Sequence, residues 1–415
     1  MKRVPARGPK LDVSQFLLLT AVNVLVGSMV GHERTILPLL ARERFGVTAA
    51  TATAAFVIAF GAVKALTNLV AGHLSDRVGR RPVLLFGWIA MVPVPIILAI
   101  TESWTWVIAS NALLGAGQGL AWSATVVMQI DLAGPARRGF AAGINEAAGY
   151  LGVSITALGT GVIASAIGLR PVPFLVAGGF ALAGLGLASR VRETRSASNP
   201  ATVLPGKPGL GTDASVRSRL HTAAVAQAGA VNNLNDAVAW ILFPLLFASS
   251  DLPLGTIAIL VAVYPGAWGL GQLATGPVSD RFGRRALIVA GMWSQSIGLA
   301  SIALGSGLIV WTGGTLMLGL GTAMAYPSLL AAVDDAADPD RRASALGIYR
   351  FWRDAGFVAG GLLAAVFAGA IGVRGALALT AAVTFVSGTA VASVRSTGSR
   401  WALHSGRPSS SRRAR

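Results

Sequence analysis

Eight charged side chains stand inside long apolar stretches of this sequence: Glu33, Arg34, Lys64, Glu146, Asp236, Arg350, Arg353 and Asp354. A charge at the centre of a bilayer costs about 2.5–3.5 kcal/mol on insertion scales, so such residues persist where they pair, line water or bind something. Four of these are basic and four acidic. That balance points to pairing around an internal cavity, because charges facing lipid have no reason to balance. Arginine and lysine in such a cavity can hold an anion. A carboxylate there can carry a proton, which makes Glu146, Asp236 and Glu33 candidate proton carriers.

Spacing sharpens the set. Arg350, Arg353 and Asp354 fall at i, i+3 and i+4, on one helix face. Arg34 is not expected to pair with Glu33, since consecutive residues point about 100° apart on a helix. The run Asn232-Asn233-Leu234-Asn235-Asp236 is too dense in amides for interhelical glue alone. It is expected to weaken its helix locally and to serve as a binding segment in mid-membrane. Asn145, beside Glu146, adds polar lining, as do Asn23, Asn68 and Gln129. Trp240, Tyr264, Trp268, Tyr349 and Trp352 offer faces for stacking, although core packing is the commoner use of such residues.

The elements that position these residues follow from composition. The chain has 415 residues, of which 53 % are hydrophobic and 12 % charged, and its mean hydropathy is +0.65. Soluble domains carry about 25 % charged residues, so this is an all-α integral membrane protein. A span needs about 20 apolar residues, and the apolar blocks number twelve. They divide into a short N-terminus (1–15), a first six-helix bundle (16–189), a polar linker (190–220), a second six-helix bundle (221–394) and a basic tail (395–415). The first apolar run begins at Phe16 and reads as a spanning helix, not a cleaved leader.

The net charge of +17 does not imply nucleic acid. The arginines sit singly or in pairs at block ends, without a basic stripe interleaved with aromatics. With twelve spans, 26 Lys and Arg fall on the side of the termini and 4 on the other. That bias places both termini in the cytoplasm, in the cell inner (plasma) membrane. Zero cysteines exclude disulfides and thiolate ligands. Four scattered histidines make no metal site, and no cofactor is expected. No catalytic constellation is present, so an enzyme is not expected. Gly115, Gly117 and Gly119 have the spacing of a dinucleotide loop, yet they lie inside an apolar block with no preceding strand, where close helix packing explains them.

The chain also repeats itself. Gly72-His-Leu-Ser-Asp76-Arg77-Val-Gly79-Arg80-Arg81 returns 204 positions later as Gly276-Pro-Val-Ser-Asp280-Arg281-Phe-Gly283-Arg284-Arg285. At the same offset Asp131 meets Asp335, Pro135 meets Pro339, Arg137-Arg138 meets Arg341-Arg342, and Gly115 and Gly117 meet Gly319 and Gly321. Two halves of like topology make a parallel repeat about an axis normal to the membrane. On this motif, its second copy, the helix count and the linker, the chain resembles the major facilitator superfamily.

The resemblance implies a secondary transporter whose two halves rock about a central site. It implies that Asp76 and Arg80 are charge partners of a gate, with Gly72 and Gly79 permitting a close turn, and that Asp280, Arg284, Gly276 and Gly283 are their counterparts. It makes the second helix a neighbour of the eleventh and the fifth of the eighth, so a Lys64–Asp354 bridge is expected across the halves. Drug exporters of the superfamily carry an arginine three residues before a Gln-Gly pair in the fourth helix and a Gly-Pro motif in the fifth. Here Gly115 precedes Gln118-Gly119 and the fifth helix lacks proline.

Cargo information is expected where the copies disagree, at Glu146 against Arg350 and at Lys64 against Trp268. The expected function is alternating-access transport of a small anionic or zwitterionic solute, coupled to protons, by a monomer in the lipid bilayer. The alternatives are a broad-specificity drug/proton antiporter and a non-transporting receptor.

Overall fold

The structure, a computed structural model, describes residues 11–47, 50–134, 137–194, 216–336 and 342–394, and all regular elements among them are helices. The first ten residues, most of the expected linker and the tail from 395 lie outside the described residues. The first half comprises α1 (Val13–Glu43), α2 (Ala50–Val78), α3 (Arg80–Ile100), α4 (Trp104–Ala133), α5 (Arg138–Ile167) and α6 (Val172–Ser189). The second comprises α7 (Val216–Ala248), α8 (Leu254–Phe282), α9 (Arg284–Leu304), α10 (Leu308–Ala336), α11 (342–371) and α12 (373–393).

Among the described residues, ten segments are long and apolar enough to cross a membrane. The 30-residue α4 is as long but less apolar, because Gly, Ser, Thr, Asn and Gln punctuate it. α11 and α12 run on as one 52-residue helix interrupted at Gly372. Counting α4 and dividing the last helix there gives twelve.

Prolines account for the interruptions inside two spans. α1 loses regular bonding at Thr35 and Ile36, just ahead of Pro38, and α3 does so at Val92, ahead of Pro93. Proline donates no N–H and crowds the carbonyl four residues back.

The turns carry the repeat into the backbone. Gly79 (φ 99°, ψ 164°) separates α2 from α3, and Gly283 (φ 87°, ψ 146°) separates α8 from α9. Gly168 (φ 95°, ψ 164°) and Gly372 (φ 76°, ψ 168°) do the same at the opposite face, again 204 residues apart. This region is open essentially to glycine alone. The polar motif between the second and third apolar blocks is therefore almost wholly helical, with a one-residue turn. Gly72 makes no turn. It lies within α2 beside open space, and Gly276 likewise lies within α8.

Glycine also sets the helix spacing. A Cβ on Gly115 would lie 2.4 Å from the Phe60 carbonyl oxygen, and one on Gly319 would lie 2.5 Å from that of Tyr264. These contacts, α2 on α4 and α8 on α10, are the same contact in the two halves. Arg170 and Arg374 repeat in the same way. Arg170 donates to Thr101 O and Glu102, and Arg374 donates to Gly305 O (2.7 Å) and Ser306, so each arginine staples the end of one helix to the start of another.

The halves meet along two seams, α2 against α11 and α5 against α8. Gly61 packs on Phe357, Gly361 on Ile58, and Gly161 on Ala258, while Ser154 donates to Ala262 O at 2.8 Å. All of these lie toward the face of Gly168 and Gly372. On the side of Gly79 and Gly283, Gly72, Gly143 and Gly347 have nothing within 4 Å of a Cβ position.

Candidate functional site

A small, narrow cavity lies where the seams converge. α2 contributes Lys64 and Asn68, α4 Trp122 and Ser123, and α5 Glu146 and Tyr150. α7 contributes Asn233, α10 Tyr326, and α11 Arg350, Arg353 and Asp354.

Asp354 is the most committed group. Arg353 grips it with two bonds, Nε to Oδ1 at 2.8 Å and Nη2 to Oδ2 at 2.9 Å. Asn233 donates to Oδ1 at 3.0 Å, and Asn68 donates to Oδ2 from the other half. Arg353 also donates to the Tyr326 hydroxyl at 2.6 Å. Both charges are buried, and removing one partner of such a pair costs about 3–5 kcal/mol. The angular argument against pairing consecutive residues fails here, because the long arginine folds back onto its neighbour.

The expected Lys64–Asp354 bridge is not formed, since donors already occupy both oxygens. The Lys64 ammonium lies instead 5.3 Å from the rings of Phe60 and Phe357 and 5.8 Å from that of Trp122, in a cation–π enclosure. Among the described residues neither Lys64 nor Arg350 has a hydrogen-bond or ion-pair partner. Glu146, 7 % exposed, accepts from Trp122 Nε1 through Oε1 at 2.9 Å, and its Oε2 is buried without a partner. Two uncommitted cations thus face one half-committed carboxylate.

The lining follows the repeat. Glu146 and Arg350, Trp122 and Tyr326, and Tyr150 and Asp354 are each 204 apart, and both members of each pair face the cavity. The cavity therefore sits on the pseudo-twofold axis.

At the turns, Arg80 pairs with Asp131, and Arg284 with Asp335 at 3.4 Å. Each joins the start of α3 or α9 to the end of α4 or α10 within one half. Glu193 accepts from the backbone N–H of Arg80 (3.2 Å) and Arg81 (3.0 Å), capping α3, whose helix dipole favours a carboxylate there. Asp76 is exposed and is not the carboxylate that Arg80 takes. The Asp280 side chain lies outside the described residues.

A family model described as Major Facilitator Superfamily matches residues 16–222 and 225–410. The chain belongs to the major facilitator superfamily. Its structure resembles that of the nucleoside transporter NupG with TM-score 0.71 at 14 % identity, covering 92 % of this chain and 99 % of that one. It resembles the human organic anion transporter MFSD10 with TM-score 0.66 at 17 % identity, with the same coverage. At these identities the likeness is one of fold.

Several sequence candidates in this superfamily transporter lie away from the cavity. Arg34 reaches across the halves to Asp236, Nη2 to Oδ1 at 2.6 Å, with its guanidinium 5.3 Å from the Trp240 ring and 5.8 Å from that of Tyr264. Glu33 and His32 are fully buried within the first half, His32 edge-on to Phe174 of α6. Asn232 accepts from Gln295 at 3.0 Å, and Asn235 donates to it at 2.9 Å and accepts from Thr384 at 2.8 Å. These bonds keep the amide cluster inside an unbroken 33-residue helix, contrary to the expected weakening. Asn145 contributes its backbone carbonyl, to Asn23, and not its side chain.

The superfamily transporter's cavity aromatics Trp122, Tyr150 and Tyr326 escaped the sequence reading. The available signal was an aromatic at the same offset in both copies, Trp122 and Tyr326. Trp352, by contrast, is exposed, and Tyr349 packs against Gly229 inside the second half.

Proposed function

We propose that the protein is a secondary active carrier for a small anionic or zwitterionic solute, coupled to protons and working by alternating access. It resides in the plasma (inner) membrane with both termini in the cytoplasm. The observation that carries this reading is the pair of uncommitted cations, Lys64 from one half and Arg350 from the other, on a shared cavity. A cargo anion between them touches both halves at once, so its binding bears on how the halves sit. Glu146, with one oxygen fixed by Trp122 and the other unpartnered, is the proton carrier in this scheme.

The packing toward Gly168 and Gly372, including the Arg34–Asp236 pair, is that of a carrier closed on the outer side. The excess of basic residues makes the opposite, turn-bearing face cytoplasmic. The Arg80–Asp131 and Arg284–Asp335 pairs stiffen each half so that it moves as one body. That MFSD10 is named an organic anion transporter is in keeping with the charge of this cavity.

Reconstitution into proteoliposomes tests the reading. A proton gradient is expected to drive saturable uptake of an anion from a panel of small carboxylates. The Glu146→Gln protein should lose accumulation while still exchanging solute across the membrane. Accumulation by Glu146→Gln defeats the coupling role. Flux of cationic dyes without anion flux favours an antiporter for drugs. No saturable flux of any solute favours a receptor.

A further inference from the structure

Most of the neutral polar groups of the cavity already bond to Asp354, to Arg353 or to one another. Asn68 donates to Asp354 and accepts from Ser123 (2.9 Å), Asn233 donates to Asp354, and Tyr326 accepts from Arg353. What remains for a cargo is two cations, one oxygen of Glu146, the carbonyl of Asn233, the hydroxyl of Tyr150, the O–H donor of Tyr326 and the ring faces. A polyol would find few free acceptors for its hydroxyl protons, and an unmet buried hydroxyl is costly.

The apolar part of the lining is wholly aromatic. Trp122, Tyr150 and Tyr326 supply it, and among the described residues no aliphatic side chain contributes. The rings form a connected cluster with Trp268 behind them. Trp122 lies 5.3 Å from Tyr150, Tyr150 from the first half stacks on Trp268 from the second at 3.4 Å and 24°, and Trp268 meets Tyr326 edge-on at 5.5 Å. Lys64 sits at the Trp122 end of that cluster. An ammonium is thus placed about one ring's width from a stacking surface. Aromatic pairs favour offset-stacked or edge-to-face contact with centroids about 4.5–7 Å apart.

We propose that the cargo is an aromatic or heteroaromatic carboxylate of one or two rings, its carboxylate held by Lys64 and Arg350 and its ring stacked on Tyr150. This rests on the anion reading above and narrows it. The stacked pair Tyr150 and Trp268 joins the halves, so a ring stacked on Tyr150 senses both of them.

Thermal-shift titration of the purified full-length protein tests the proposal, with benzoate, 2-naphthoate, cyclohexanecarboxylate, gluconate and benzylammonium as probes. Benzoate and 2-naphthoate are expected to bind at least about tenfold tighter than cyclohexanecarboxylate, the ratio that one or two stacking contacts produce. Cyclohexanecarboxylate is no less apolar than benzoate, so partition into detergent would give the opposite order. Tyr150→Leu should bring that ratio near unity, and Tyr150→Phe should keep it. If cyclohexanecarboxylate or gluconate binds as tightly as benzoate, the aromatic class is wrong and the anion reading survives. If benzylammonium binds more tightly than benzoate, both fail. If neither aromatic anion binds at millimolar concentration, or Tyr150→Leu keeps the ratio, the proposal is overturned.

Discussion

Lys64 makes no ion pair in its cation–π enclosure, so its removal leaves no buried carboxylate exposed. Lys64→Gln is therefore expected to leave the melting temperature unchanged or raised, while Kd for an anionic probe rises roughly 10- to 100-fold, the worth of one charge-assisted hydrogen bond. Titration with benzoate beside a melting curve separates the two effects.

Glu102, near the Gly168 turn, behaves in the opposite way. Its carboxylate accepts from Arg44 at 3.1 Å and from Arg170 at 2.8 Å. The hydrogen bond from Arg44, then that from Arg170, holds it below the ordinary carboxylate range. A depressed carboxylate stabilises the fold above its unfolded pKa, and that contribution is lost as pH falls through the lower folded value. The group is solvent-exposed, so the effect is small. Wild type is expected to melt slightly above Glu102→Gln at pH 7, with the two curves converging in acid, once the carboxylate is protonated in the folded protein too.

At this scale the sequence made the charges legible but not their partners. Asp354 and Arg353 were visible as intramembrane charges. That Asn68 and Asn233 would converge on Asp354 from opposite halves depends on how α2, α7 and α11 come together, which spacing along one helix does not encode.

Among the elements, the four glycine turns carry the topology. Gly79 and Gly283 share a backbone conformation, yet their surroundings differ. A Cβ at Gly79 would approach Glu193 Oε2 to 2.7 Å, whereas one at Gly283 meets nothing within 4 Å. Gly283→Ala is expected to cost about 1–3 kcal/mol from the backbone alone, and Gly79→Ala should cost more, because Glu193 must give way from the α3 cap. Chemical denaturation of the two single variants gives the difference. Tight packing between helices is subject to the same logic, since Gly152 would place a Cβ 2.0 Å from Val24 O, and Gly356 one 2.1 Å from Ala230 O.

Element existence was readable from apolar block length, because a bilayer imposes it. The one-residue turns were not, because a polar, basic run reads as loop by composition, while the backbone there is helix on either side of a single glycine. The amide cluster of α7 misled for a related reason. Amides weaken a helix when they compete for its backbone, but Gln295 and Thr384 occupy them instead.

For the molecule as a whole, the seam between halves offers a direct handle, and the chain has no cysteine to interfere. A Cβ built on Gly266 lies 3.6 Å from that of Ser154, within the span of a disulfide. The double variant Ser154→Cys, Gly266→Cys is expected to cross-link α5 to α8 on oxidation and to halt flux in proteoliposomes, with recovery on reduction. Benzoate binding should persist in the locked form, approached from the turn face. Full flux in the oxidised protein would mean that the halves do not part along this seam.

The paired positions around the cavity bear on one more property. Two identical copies about an axis present every group twice, so a cargo entering such a site could sit either way round with equal energy. Here one copy offers Glu146 and Tyr150 where the other offers Arg350 and Asp354. Fusion of the copies into one polypeptide lets each drift separately, and the drift has given the chamber a head and a tail. On the reading proposed above, a cargo with unlike ends enters in a single orientation, since turning it about the axis would set its carboxylate against Glu146.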